Sequence, residues 1–470
     1  MKRLIHITVL TYLFVGQFSS KPPAPVGPVA SERQLKWHEL EYYAFIHFNM
    51  NTFTDKEGGD GTESPELFDP TSLNCRQWAK ICKEAGMKAI IITAKHGDGF
   101  CLWPSKYTDH SVRNSSWRNG KGDVLKELSE ACREYGLQTG VYLSPTDRHV
   151  EVTSKYGPEY KENYKNQIEE LLTSYGDIFE FWVDATCPAW REGDYPAFYE
   201  IIRKLQPNAV IFSDAGPDVR WVGNESGYAG ETNWCPLRRD EIFHAYDKPE
   251  ELTAGHENGT YWVPAECDVS IRPGWFYHPS QDDKVKSVQT LVDVYFRSVG
   301  RNANLLLNVP VDRRGFIHER DSTALMGLKK VLDETFDYNL VAGASATASQ
   351  VRGNDSHFDA MKVIDGDKDS YCATDDSVKE GSLIVELKKP TEFNCIMLQE
   401  YIPLGQRVEA FSVEAWDGKE WKKVAAGTTI GYKRLMRIPS VEASRVRLRI
   451  LRSRACPTIS NFALYRAPEI

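Results

Sequence analysis

Ile178–Phe179–Glu180–Phe181–Trp182–Val183–Asp184–Ala185–Thr186–Cys187–Pro188 is the stretch on which the fold turns. Apolar and aromatic residues run to Val183 as in a buried strand. A carboxylate then appears at the C-terminal end, and small residues with a proline stop the strand. In a parallel barrel the groups that do chemistry sit at this end of the strands. A strand-end Asp also serves as the cap of a following helix or turn, so the choice between the two depends on the other loops.

Working outward, strands and helices alternate from Trp37 to Asp337. Short apolar runs at Tyr43–Phe48, Ala89–Thr93, Thr139–Leu143, Ile178–Val183, Val210–Ser213 and Asn304–Val309 read as strands. Amphipathic helices read near Asn74–Ala85, Val124–Tyr135, Lys161–Ser174, Pro196–Leu205 and Lys284–Val299. Repeated β-then-α units over this length predict an α/β fold, a (β/α)8-like TIM-type barrel over 37–340, irregular around residues 215–280 where the periodicity fades. A doubly wound open sheet is the competitor, weakened because no G-x-G-x-x-G turn follows the first strand. Beyond Asp337 the segments become short and alternating, from Ser382–Leu387 to Val446–Leu451, which predicts an all-β sandwich over 344–470. Its opening, Ala344–Ser349 followed by Ala360 to Asp369, resembles the discoidin-like (coagulation factor type C) sandwich. Such modules bind sugars or only pack on a catalytic domain, and the sequence leaves both open.

The ends and the composition bound the function. Met1–Lys2–Arg3, an apolar run from Leu4 to Val15 and then Gly16 to Ser20 read as a secretory signal peptide over residues 1–20, with cleavage near Ser19–Lys21. Residues 21–36, rich in proline to Val29, read as a linker. The expected location is therefore outside the cytoplasm, periplasmic or secreted, and the apolar run is too short to span a bilayer. With 57 Lys and Arg against 66 Asp and Glu, the formal charge is −9. Neither a nucleic acid nor an anionic membrane suits that balance. Ten cysteines show no C-x-x-C or other zinc spacing, so no metal site is expected. Which of them an oxidising compartment would pair is not legible.

Candidate functional groups fall just after predicted strands: His47 and Asn49, Lys95 to Phe100, Ser144 to His149, Asp184, and Ser213 to Gly227. Five loops carrying His, Asp, Glu or Arg at one end of a barrel describe a polar pocket. Carboxylates on different loops, with His and Trp beside them, suit glycoside hydrolysis, in which one attacks the anomeric carbon and the other protonates the leaving oxygen. Trp221 near Glu225 would supply the apolar surroundings a general acid needs. No G-x-S-x-G elbow supports a serine hydrolase, and a two-metal hydrolase needs more Asp/His pairs.

Several long motifs carry a resemblance. Phe53–Thr54–Asp55, Thr93–Ala94–Lys95–His96 with Asp98 to Ser105, Ser213 to Trp221 and Pro264 to Phe276 resemble the α-L-fucosidases of glycoside hydrolase family 29, and more closely the subgroup acting on α-1,3/1,4-linked fucose. The resemblance runs from about Trp37 to the C-terminus. It implies an exo-acting, retaining mechanism without a cofactor, with Asp184 as nucleophile and Glu225 as general acid/base. Glu231 is the fallback for the acid, and structural roles are commoner for Glu231 and Glu266. His47, Glu57, His96, Arg272 and Trp275 correspond to the sugar-binding positions. The departures matter as much. Where that subgroup usually has Glu-Trp, His-His and Ser-Pro-Trp, this chain has Glu57–Gly58, His96–Gly97 and Ser144–Pro145–Thr146, and Ala185 stands where Gly is usual. A roomier subsite with fewer hydroxyl donors is expected, favouring an α-L-glucoside or α-L-galactoside. The α-1,3/1,4-L-fucosidase is the alternative, and a non-catalytic carbohydrate-binding protein is the rival from another class.

Overall fold

The computed structural model describes residues 21–157, 159–184, 187, 190–214, 216–243 and 248–469. The signal-peptide reading at 1–20 lies outside the described residues, as do Ala185, Thr186, Pro188 and Ala215. Eight parallel strands close into a barrel: β1 (Tyr42–Ile46), β2 (Ala89–Lys95), β3 (Gln138–Leu143), β4 (Ile178–Trp182), β5 (Val210–Ser213), β6 (Val219–Trp221), β7 (Ala265–Ser270) and β8 (Ala303–Asn308). Strand β1 pairs with β2 on one side and with β8 on the other, so no edge is left open. Helices such as Cys75–Glu84, Val124–Tyr135 and Glu159–Ser174 cover the outside, each burying one apolar face.

Two barrel strands escape an apolar-run reading, for a physical reason. β6 has three residues, and β7 carries Glu266 and Asp268 on its inward face. Those carboxyls are tolerated because each has partners. Trp182 Nε1 donates to Glu266 at 2.9 Å and Trp221 Nε1 to Asp268 at 2.9 Å. Below them Glu180 takes Trp37 Nε1 at 3.0 Å, and the Tyr43 hydroxyl reaches both Glu180 and Glu266. Burial pushes both carboxyls up, Glu266 to about 7, so the pair retains a proton near neutrality. Glu180, Trp182 and Asp184 alternate inward along one strand, and the interior is layered: carboxyl pair at the bottom, aromatic rings in the middle, open cup at the top. Trp182 stacks on Phe212 at 4.0 Å and on Tyr142 at 5.2 Å in that middle layer.

The second body is an antiparallel sandwich built on two 20-residue strands, Gly381–Glu400 and Arg434–Ser453, that pair with register shifts. Its core gathers Val385, Phe393, Leu398, Phe411, Val413, Leu448 and Phe462. The stretch read as a linker is structured instead. Residues 21–30 lie along the sandwich, with Arg352 donating to the Lys21 carbonyl, Arg407 to that of Ala24 and the Val26 amide to that of Leu404, and a helix already begins at Glu32 (Glu32–His38). Proline made the segment look like a tether, but its carbonyls are satisfied by buried arginines rather than by water. All ten cysteines are buried as free thiols.

Candidate active site

The cup at the C-terminal end of the barrel is assembled from loops after five strands. His47, just beyond β1, is 4% exposed, and its Nδ1 lies 2.8 Å from Asn308 Oδ1 at the end of β8. Asn308 Nδ2 donates to Ser270 Oγ and to the Trp275 carbonyl, both at 2.8 Å, so its Oδ1 must be the acceptor. The proton of His47 therefore sits on Nδ1 and Nε2 is left as an acceptor. Burial, with His96 beside it, holds the His47 imidazole neutral well below the usual histidine range.

His96 follows β2, stacked on Tyr142 at 5.5 Å and 14° and set edge-on to Phe276 at 5.1 Å. Its Nδ1 is buried with no hydrogen-bond partner among the described residues. Burial lowers its basicity, opposed by the charges of Asp184 and Glu57. The two imidazoles stand 5.6 Å apart. Tyr142 OH donates to Asp184 Oδ2 at 2.7 Å, fixing the carboxylate that ends β4. The charge of Asp184, after burial, keeps that phenol protonated.

Glu225, on the loop after β6, meets Trp275: the indole Nε1 reaches its Oε2 at 3.4 Å, and the Trp275 ring lies 5.1 Å from His47. Trp221, expected beside Glu225, instead spends its indole N–H on Asp268. Burial first, and then the charge of Glu225, push Asp268 well above the carboxylate range. Glu57 holds the Trp275 loop, accepting from the Trp275 amide at 2.9 Å and lying 2.6 Å from His278 Nε2.

The structure thus brings His47, His96, Asp184, Glu225, Glu57 and Trp275 into one connected cluster with Tyr142 and Asn308. Two other positions point elsewhere. Arg272 is fully buried, with Nε on Asp321 at 2.9 Å and Nη1 on Asp282 at 2.9 Å, and its guanidinium lies over the Tyr277 ring at 4.9 Å. These bonds brace the loop from behind. Glu231 is 73% exposed and pairs with Arg301 at 2.5 Å and Arg434 at 3.5 Å, at the seam with the sandwich. Tyr142 and Asn308 went unread because a strand Tyr looks like core and a strand-end Asn like a cap.

The loops that lost bulk differ from one another. A Cβ at Gly97 would meet nothing within 4 Å, so that wall is open. At Gly58 a Cβ would lie 3.4 Å from Arg148 Nη1, so a guanidinium already occupies the adjoining space. Gly97 thus has space for a larger side chain, whereas at Gly58 a guanidinium stands where bulk is missing.

A closed parallel barrel whose upper cup collects carboxylates from separate loops, neutral imidazoles and indole faces defines a glycoside hydrolase. The family model for α-L-fucosidase matches residues 27–335 and that for the F5/8 type C domain residues 345–463. The chain belongs to the α-L-fucosidase family, glycoside hydrolase family 29. It is 44% identical over 450 residues to Alpha-L-fucosidase 1 of Arabidopsis thaliana, covering 94% of this chain and 88% of that protein. A Bacteroides thetaiotaomicron crystal structure superposes with a TM-score of 0.90 at 46% identity, covering 95% of this chain and 99% of that one. A Ruminococcus gnavus GH29 fucosidase in complex with fucose gives 0.89 at 31% identity, covering 97% and 98%.

Proposed function

We propose that the chain is an exo-acting retaining α-L-glycosidase whose pocket takes an L-hexose other than fucose, as an α-L-glucoside or α-L-galactoside. Asp184 attacks the anomeric carbon as Glu225 gives its proton to the leaving oxygen, forming a glycosyl ester. Glu225 then takes a proton from water, which attacks the same carbon and releases Asp184. Tyr142 holds the nucleophile, and the Nε2 of His47 accepts from a sugar hydroxyl. Glu57 and Arg272 act by fixing the loop that presents Trp275.

The observation that carries the substrate reading is the open space at Gly97, next in sequence to His96. L-Fucose is 6-deoxy-L-galactose, and extra room suits a sugar with one more hydroxyl, or with its 4-hydroxyl turned. The family membership and the names of the relatives favour the second reading, an α-L-fucosidase, which the motif resemblance narrows to α-1,3/1,4-linked fucose. Hydrolysis of matched aryl α-L-fucoside, α-L-galactoside and α-L-glucoside, beside Asp184→Asn, tests both. A preference for a 6-hydroxylated sugar, abolished in the variant, supports the proposal. A preference for the fucoside overturns its substrate, and activity surviving in the variant overturns its nucleophile. Export rests on the sequence of residues 1–20, and the N-terminal mass of protein recovered outside the cytoplasm checks it.

A further inference from the structure

Arg148 opens the helix Arg148–Ser154, and its seat is built from both neighbouring loops. Its amide donates to the Gly97 carbonyl at 2.9 Å and its Nη1 to the Gly59 carbonyl at 2.6 Å. Gly61, at φ +83°, has room only for hydrogen, since a Cβ there would stand 2.3 Å from the Arg148 carbonyl carbon. Gly99, at φ +91°, presses in the same way on the Asp147 carboxylate. Asp147 caps the helix and pairs with the buried Lys95 at 3.0 Å. The backbone of Arg148 is thereby clamped between the loop that carries Glu57 and the loop that carries His96.

The side chain is not consumed by this seat. Among the described residues no carboxylate lies within ion-pair distance of the guanidinium, and one carbonyl is its hydrogen-bond acceptor. An exposed arginine normally turns to water or to a surface acid. This one lies against Gly58, on the chain segment next to Glu57, and its charge weighs on His96. A guanidinium presents five donors in a rigid fork, which suits a pair of sugar hydroxyls. The cup already holds Asp184, Glu225 and Glu57, so an anionic sugar would face three carboxylates, whereas a neutral polyol would not.

We infer that Arg148 is a substrate-contacting residue that sets which L-hexose the pocket accepts, its fork donating to sugar hydroxyls between Gly58 and Gly97. The inference rests on the glycosidase reading of the cup but not on which sugar is preferred. Arg148→Met and Arg148→Lys are to be measured on the three matched aryl α-L-glycosides as kcat/KM. The glucoside-to-galactoside ratio reports contact with the 4-hydroxyl, and the galactoside-to-fucoside ratio reports contact with the 6-hydroxyl. Removing a charged donor from a hydroxyl is expected to lower kcat/KM on the favoured sugar roughly 10- to 150-fold, to shift at least one ratio by about 10-fold, and to be partly rescued in Arg148→Lys. Arg148→Gln, which keeps the stem and two neutral N–H donors and leaves the backbone seat untouched, is expected to shift the same ratio less, so a poorly folding Arg148→Met leaves the question decidable. Equal losses on all three sugars, or none, in these variants would show that Arg148 only holds the loops, and would overturn the inference. A wild-type preference for the fucoside would defeat the substrate proposal while leaving the shift in ratios to decide Arg148.

Discussion

Asp184 owes its place to strand alternation, whereas its orientation comes from a hydroxyl on the preceding strand. Tyr142→Phe removes that donor without altering the ring stack on His96 and Trp182. A hydrogen bond to a charged acceptor contributes about 1.5–3 kcal/mol, so kcat/KM is expected to fall about 10-fold or more with unchanged thermal stability. Steady-state kinetics beside a melting curve checks this. Glu225→Gln has a different signature. Loss of the proposed general acid is expected to slow hydrolysis of substrates with poor leaving groups about 10²- to 10⁴-fold, while a dinitrophenyl glycoside, whose leaving group needs no proton, still shows a rapid first turnover. Equal losses on both leaving groups would place the acid elsewhere. At this scale the sequence exposes a strand-end carboxylate and strand-end histidines by their position. It conceals Tyr142 and Asn308, whose polar ends matter only once three strands have been brought together.

The helix Arg148–Ser154 has seven residues and little buried surface, so it depends on its cap. Lys95 and Asp147 are both buried, and Lys95 Nζ also reaches Gln167 Oε1 at 3.1 Å. Lys95→Met leaves an uncompensated buried carboxylate, which destabilises by about 3–5 kcal/mol, and the urea midpoint should drop accordingly. Asp147→Asn keeps the cap on Val150 but leaves the buried Lys95 ammonium without its counter-charge, so a comparable drop is expected. At the scale of elements the apolar runs reveal six barrel strands, since burial on both faces demands continuous hydrophobicity. β6 and β7 are hidden because three residues carry no periodicity, and because inward carboxyls paired with indoles read as surface.

Barrel and sandwich are joined by a mixed seam: Leu435, Ala463 and Tyr465 enter the barrel's apolar core, and polar bonds cross beside them. Gln406 of the sandwich donates to the Asn233 carbonyl and accepts from the Cys235 amide at 2.8 Å, and the Tyr432 amide donates to Asn302 at 2.7 Å. His38, on the first helix, stacks on Tyr432 at 5.1 Å, and burial holds its imidazole down to about 3. The unfolded chain binds a proton below about pH 6.5 and the folded chain does not, so this site contributes a loss of stability as pH falls from 6.5 toward 3. His38→Phe is expected to gain about 2 kcal/mol relative to wild type between pH 7 and pH 5, read by chemical denaturation at both values. A constant difference at the two pH values would mean His38 is protonated in the native state. The boundary between the two bodies was legible as a change from helical to alternating periodicity. The docking of residues 21–30 was not, because its partners are arginines more than 300 residues away. The proposed mechanism passes through a covalent glycosyl-enzyme on Asp184, which trapping detects. A 2-deoxy-2-fluoro-α-L-hexosyl fluoride, in gluco and fuco forms, is incubated with the enzyme and the digest is mapped by mass spectrometry. One hexosyl adduct on the peptide containing Asp184 is expected. An adduct on another carboxylate, or turnover with inversion and no adduct, would contradict it.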